Sequence, residues 1–140
     1  MKNLFYAAFA YLFVGIASGL YYRELVKFND FPPGEFTQLG LAHAHFLVLG
    51  FVILILVLLL EKAFTLSSSK KLFTWFFWLY NVGLVLTGGM LIVHGTLTVL
   101  GKESSAMIAG VAGLGHMALT AAMIVLFVMA KKAIAPAHKK

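Results

Sequence analysis

Apolar residues run almost unbroken in four stretches, at about 3–22, 37–60, 72–100 and 105–130, and the polar residues gather in the gaps between them. Each stretch is as long as, or longer than, the roughly 20 residues a helix needs to cross hydrocarbon. The first gap runs from Arg23-Glu24 to Glu35 and holds Pro32-Pro33-Gly34, a turn signal. The second runs from Glu61-Lys62 through Ser67-Ser68-Ser69 to Lys70-Lys71. The third is only Gly101-Lys102-Glu103-Ser104-Ser105, where Ser104 or Ser105 is placed to cap the last helix. The tail from Ala135 to Lys140 is polar and expected to fray. The pattern predicts an all-α membrane protein, a bundle of four transmembrane helices forming one domain over 1–140.

Ile16-Ala17-Ser18-Gly19 resembles a signal-peptide cleavage site, but the run is about 20 residues long and reads as an uncleaved first span.

Composition narrows the function classes. The 140 residues are 61% hydrophobic and 11% charged, against about 45–50% and 25% in soluble domains. A soluble chain of this size has too little interior to hide so much apolar surface. An ordinary soluble enzyme, a disordered tail and a nucleic-acid module are excluded. The net charge of +6 then reports topology instead. Placing the N-terminus inside puts Lys2, Lys62, Lys70, Lys71, Lys131, Lys132, Lys139 and Lys140 on the inner side. Arg23, Lys27 and Lys102 fall on the outer side, which completes the 11 Lys and Arg. Both termini are therefore expected inside. Phe73, Trp75, Phe76, Phe77, Trp78 and Tyr80 would form an inner aromatic belt, and Tyr21 and Tyr22 an outer one.

Cysteine is absent, which removes thiolate metal sites, iron–sulfur clusters and thioether-linked haem. A faint parallel 2+2 repeat relates the two halves. A shift of about 70 residues brings Ala17-Ser18-Gly19-Leu20 onto Thr87-Gly88-Gly89-Met90, and one of 71 brings His45 onto His116.

Four of the five histidines lie inside the apolar stretches: His43, His45, His94 and His116. Ionisable side chains are costly in hydrocarbon and usually mark function. At 1.5 Å per residue, all four come to lie roughly 9–16 Å below the outer boundary, on three different helices. No Asp or Glu lies at that depth to pair with them. Neutral imidazoles facing one another without acids suit a metal or a haem iron. His43 and His45 are about 200° apart on the helix wheel and cannot serve one point. Gln38, seven residues before His45, is placed as a partner for that ring. Small residues surround the histidines, with Thr87, Gly88 and Gly89 near His94 and Ala109, Gly110, Ala112, Gly113 and Gly115 near His116. Such positions serve close helix packing or clear room for a flat ring. Arg23, Lys27 and Lys102 could serve as membrane anchors or pair with propionates.

The stretch Leu41-Ala42-His43-Ala44-His45-Phe46-Leu47-Val48-Leu49-Gly50-Phe51 resembles the His-x-His-Leu-x-x-Leu-Gly-Trp pattern of relatives of the haem–copper oxidase catalytic subunit, including the NnrS family. The whole chain also resembles a bacterial family of short four-helix membrane proteins known only as a domain of unknown function. The first resemblance implies haem b held non-covalently by histidines, in a chain equivalent to one four-helix arc of the larger fold. It also implies a homo-oligomer, a dimer or trimer, in the bacterial cytoplasmic membrane. No set of three copper-ligand histidines with a cross-linked tyrosine is recognisable, so oxygen reduction is not implied, and the chain is not expected to be an enzyme by itself.

The leading expectation is a b-type haem protein for electron transfer or for haem or gas sensing, with a respiratory redox partner. His45 and His116 are the expected axial ligands, with His94 and His43 as alternates and Gln38 in support. Histidine-based copper or zinc binding or transport, and a non-catalytic membrane assembly subunit, are the alternatives.

Overall fold

A computed structural model describes residues 1–134; the polar tail with Lys139 and Lys140, counted above on the inner side, lies outside the described residues. Four long helices follow one another: α1 (Lys2–Phe28), α2 (Leu39–Phe64), α3 (Lys70–Val99) and α4 (Ala106–Ile134). Each is long and apolar enough to cross a membrane, and the described residues contain no strand.

The helices end where local chemistry stops them, not where the apolar runs stop. The first extends six residues past the expected end at 22, because Arg23, Glu24 and Lys27 are good helix formers that a polar boundary does not break. It closes at Asn29, whose side-chain amide donates to the Leu25 carbonyl at 2.8 Å. The Pro-Pro-Gly signal is a turn, with Glu35 N–H donating to the Pro32 carbonyl and Gly34 at φ 87°. Helix α2 begins two residues later than expected, since Thr37 instead donates its hydroxyl to the Gly95 carbonyl at 3.0 Å. It ends at Phe64, four residues later than expected, where Thr65 turns left-handed. A 3-10 turn, Leu66–Ser68, leads into α3. Ser105 starts α4, with its hydroxyl and its carbonyl both accepting from Ile108 N–H.

Two antiparallel hairpins, α1–α2 and α3–α4, pack through α2 and α3. Glycines set the close approaches. A Cβ on Gly50 would overlap Tyr11, and one on Gly88 would overlap Phe46. Among the described residues no Cα of α1 lies within 8 Å of one of α4, so the two outer helices are not packed against each other.

The core is concentrated toward the end near the 3-10 turn. There Leu4 and Ala8 of α1 join Leu54 and Val57 of α2, Phe76, Tyr80 and Leu84 of α3, and Leu119, Ala122, Leu126 and Met129 of α4. The aromatic-belt expectation needs correction at two positions. Phe76 and Tyr80 are 0% and 1% exposed and belong to the core, while Trp75 and Trp78 face outward at 56% and 61%. Spacing explains the split, since residues four apart share a helix face and their neighbours do not. Toward the other end the helices part, and no residue of α4 before Gly115 is buried. All four intrahelical histidines lie in this looser half.

Candidate cofactor site

Helix geometry sends the four histidines to different places. His43 turns to α1, where its Nδ1 lies 2.8 Å from the Gly15 carbonyl oxygen. Gly19 makes room for that ring, because a Cβ there would come within 2.7 Å of His43 Nδ1. His45, two residues on, turns the other way, toward α4. Its ring centre lies 6.4 Å from that of His116, and the two planes are inclined by 80°.

The pair has a shared detail. His45 Nδ1 lies 2.8 Å from the carbonyl of Leu41, and His116 Nδ1 lies 2.9 Å from the carbonyl of Ala112. Each ring is thus fixed on its own helix one turn back, with Nδ1–H as donor. The Nε2 of each ring is then the lone-pair nitrogen, the tautomer a metal requires. The same arrangement occurs on α2 and on α4, at residues that a shift of 71 superposes.

Directly after His45 the helix widens. Residues Phe46–Ile53 form a π-helix, a geometry that is rare and frequent at functional sites. Within it the Leu49 carbonyl accepts from the Tyr80 hydroxyl at 2.9 Å. Tyr11 donates in turn to the Asn81 side-chain oxygen at 3.0 Å. Tyr80 is expected above in the inner aromatic belt, and Tyr11 and Asn81 have no expected role. The available signal was a hydroxyl inside an apolar run, which needs a partner when buried.

Gln38 needs a different role from the one expected. The His45 ring takes the Leu41 carbonyl, and the Gln38 side-chain oxygen instead accepts from the Thr98 hydroxyl at 3.2 Å. Thr98 also lies 3.1 Å from the His94 carbonyl. Gln38 is a link between α2 and α3 because it precedes the first turn of α2, where α3 is the nearest neighbour.

His94 is half-buried and stands apart from the pair. Its place follows from the helix registers. Gly88 meets Phe46 and Gly95 meets Leu39 between α3 and α2, and Gly115 meets Thr87 between α4 and α3. His45 is therefore level with residue 89 of α3 and His116 with residue 86. His94 lies five to eight residues beyond them, about 8–12 Å toward the 100–105 loop. The Thr87 hydroxyl is fully buried and has no partner among the described residues.

Space is available beside the pair. A cavity of about 270 Å³ is lined by Ala44, His45, Val48 and Leu49. Gly110 and Gly113 have open space where a Cβ would stand, so these two are not close-packing positions. A larger depression of about 520 Å³ on α4 is lined by Thr120, Met123, Ile124, Phe127, Val128 and Lys131. It contains no histidine and is almost wholly apolar, so size does not identify the site here. Arg23 pairs with Glu24 at 3.7 Å on the surface of α1, the helix that packs on the His43 side of α2. Among the described residues no three His, Asp or Glu side chains gather closely enough to hold a metal ion.

Among the described residues these features define a four-helix, membrane-compatible protein with one pair of neighbouring histidines. The chain belongs to the DUF2871 family, described as a protein of unknown function, whose profile matches residues 1–133. No curated protein and no solved structure matches the chain.

Proposed function

We propose that the protein is an integral membrane b-type cytochrome in which His45 and His116 would together hold one haem iron. The observation that carries this reading is the pair itself: two imidazoles on separate helices, their planes inclined by 80° and their centres 6.4 Å apart. Each is pinned through Nδ1 to its own backbone. Two metal–imidazole bonds of about 2 Å each, extended by the radius of a ring at either end, match that separation. Such a pair needs no third protein ligand, because the porphyrin nitrogens complete the coordination. The open space at Gly110 and Gly113, and the lack of buried residues in α4 before Gly115, leave an edge where a flat ring can enter.

When bound, the haem supplies one-electron chemistry. His45 and His116 would hold the iron, and the Leu41 and Ala112 carbonyls fix the two ring orientations. Two protein ligands leave no open position for a gas, so electron transfer is favoured over gas sensing. The reading places α1 to α4 across the cytoplasmic membrane with both termini inside. It rests on four apolar helices, on outward residues such as Phe127, 73% exposed, and on the Lys and Arg distribution. The haem then lies in the outer half of the bilayer.

The test is the visible spectrum of protein purified in detergent from haem-replete cells, oxidised and then reduced with dithionite. The expected result is a Soret band that sharpens on reduction, with distinct α and β bands. A colourless preparation contradicts the proposal.

A further inference from the structure

The apolar depression of about 520 Å³ on α4 runs from Thr120 past Ile124, Phe127 and Val128 to Lys131. Steps of three and four residues keep these side chains on one helix face. At 1.5 Å per residue the groove is about 16 Å long, close to the roughly 15 Å of hydrocarbon in one leaflet of a bilayer. At its upper end the Thr120 hydroxyl already donates to the His116 carbonyl at 2.9 Å. At its lower end Lys131 is exposed. The ion pair found among the described residues lies elsewhere, between Arg23 and Glu24. The groove is therefore an apolar channel with one cation at its mouth.

The surroundings of that mouth are strongly basic. Among the described residues Lys2, Lys62, Lys70, Lys71, Lys131 and Lys132 stand at this end, and Glu61 is the only acid with them. The Glu61 carboxylate is taken up by Ser67, accepting from its N–H at 2.8 Å and from its hydroxyl. The opposite end sets Arg23, Lys27 and Lys102 against Glu24, Asp30, Glu35 and Glu103. An anion at the bilayer surface is thus attracted to one end of the bundle and not to the other.

Helices that associate in hydrocarbon meet through small residues. This face offers bulky ones instead, with Phe127 73% and Ile124 60% exposed. A symmetric pair joined here would also bring Lys131 and Lys132 of one copy toward those of the other, like charge on like charge. A flexible acyl chain fits uneven apolar relief, and a phosphate at its head answers the lysine. Resting on the membrane placement above, and independent of haem, we propose that this face of α4 binds an anionic phospholipid of the inner leaflet. Its acyl chain lies along Ile124, Phe127 and Val128, and its phosphate meets the Lys131 ammonium.

Fluorescence quenching by brominated lipid tests the site where it lies. The two tryptophans, Trp75 and Trp78, are 56% and 61% exposed and can be replaced by Phe. Phe127→Trp then places a single reporter in the groove. This background is reconstituted into dioleoyl phosphatidylcholine vesicles with rising fractions of brominated phosphatidylglycerol or brominated phosphatidylcholine. The reporter should sense phosphatidylglycerol with about fivefold preference, the effect of one lysine near the surface. Adding Lys131→Gln should bring that preference close to one, and adding Lys70→Gln, at the same end but on α3, should leave it in place. No preference in the background, an unchanged preference with Lys131→Gln, or equal loss with both substitutions overturns the site. A reporter that neither brominated lipid quenches is covered by protein, which also overturns it. Failure of the chain to enter vesicles overturns the membrane placement and the site together, whereas a colourless preparation contradicts haem binding and leaves the site standing.

Discussion

At the scale of single residues, the glycines separate into those that fill contacts and those that leave space. Gly88 abuts the Phe46 ring, whereas Gly113 has nothing near it. Gly88→Ala should therefore cost about 1–3 kcal/mol through overpacking. Gly113→Ala should be neutral or gain up to about 1 kcal/mol, since Ala is the better helix former. Thermal unfolding of both variants in detergent checks the contrast. The histidines separate in the same way. His43→Ala removes the link to the Gly15 carbonyl at 2.8 Å and should lower stability by about 1 kcal/mol without altering the absorption of bound haem. The opposed directions of His43 and His45 were legible in the sequence, because a two-residue offset turns a side chain by about 200° on any helix. The partner of Gln38 was not legible, because it depends on how α2 meets α3.

At the scale of elements, the four apolar helices follow from hydrophobic run length alone. Their ends do not, because charged residues such as Arg23 and Lys27 mark the end of an apolar run without ending the helix. The π-helix at Phe46–Ile53 was also hidden. An apolar run of Phe, Leu, Val, Gly and Ile reads the same with either hydrogen-bond register, and only Tyr80, on another helix, distinguishes them. The Tyr80 hydroxyl holds the Leu49 carbonyl, and the widened turns begin immediately after His45. Tyr80→Phe should lower stability by about 1 kcal/mol. With haem held as proposed, it should also change the rhombicity of the low-spin ferric electron paramagnetic resonance spectrum, which would report the relative angle of the His45 and His116 rings. A purely packing role for Tyr80 would leave that spectrum unchanged. Glu61, 7% exposed, shows a similar limit of sequence reading. Its place in a polar break predicts exposure, yet its carboxylate accepts from Ser67 N–H and closes the turn.

At the scale of the whole molecule, topology and the His45–His116 pair are each open to direct test. The absence of native cysteine allows single introduced thiols to report topology cleanly. In intact cells a membrane-impermeant maleimide should label Ser104→Cys and should spare Ser68→Cys; the reverse pattern would invert the orientation. The conjunction of His45 and His116 was suggested by their common depth and by the 71-residue offset. Their individual hydrogen bonds to Leu41 and Ala112 emerge only with the folded helices. The most direct measurement is the dithionite-reduced minus oxidised spectrum of purified His45→Ala, His116→Ala and His43→Ala beside wild type, at equal protein concentration. The sharp low-spin α band should be lost in each of the first two and retained in the third. A wild-type α band that persists unchanged in both His45→Ala and His116→Ala would contradict the central claim.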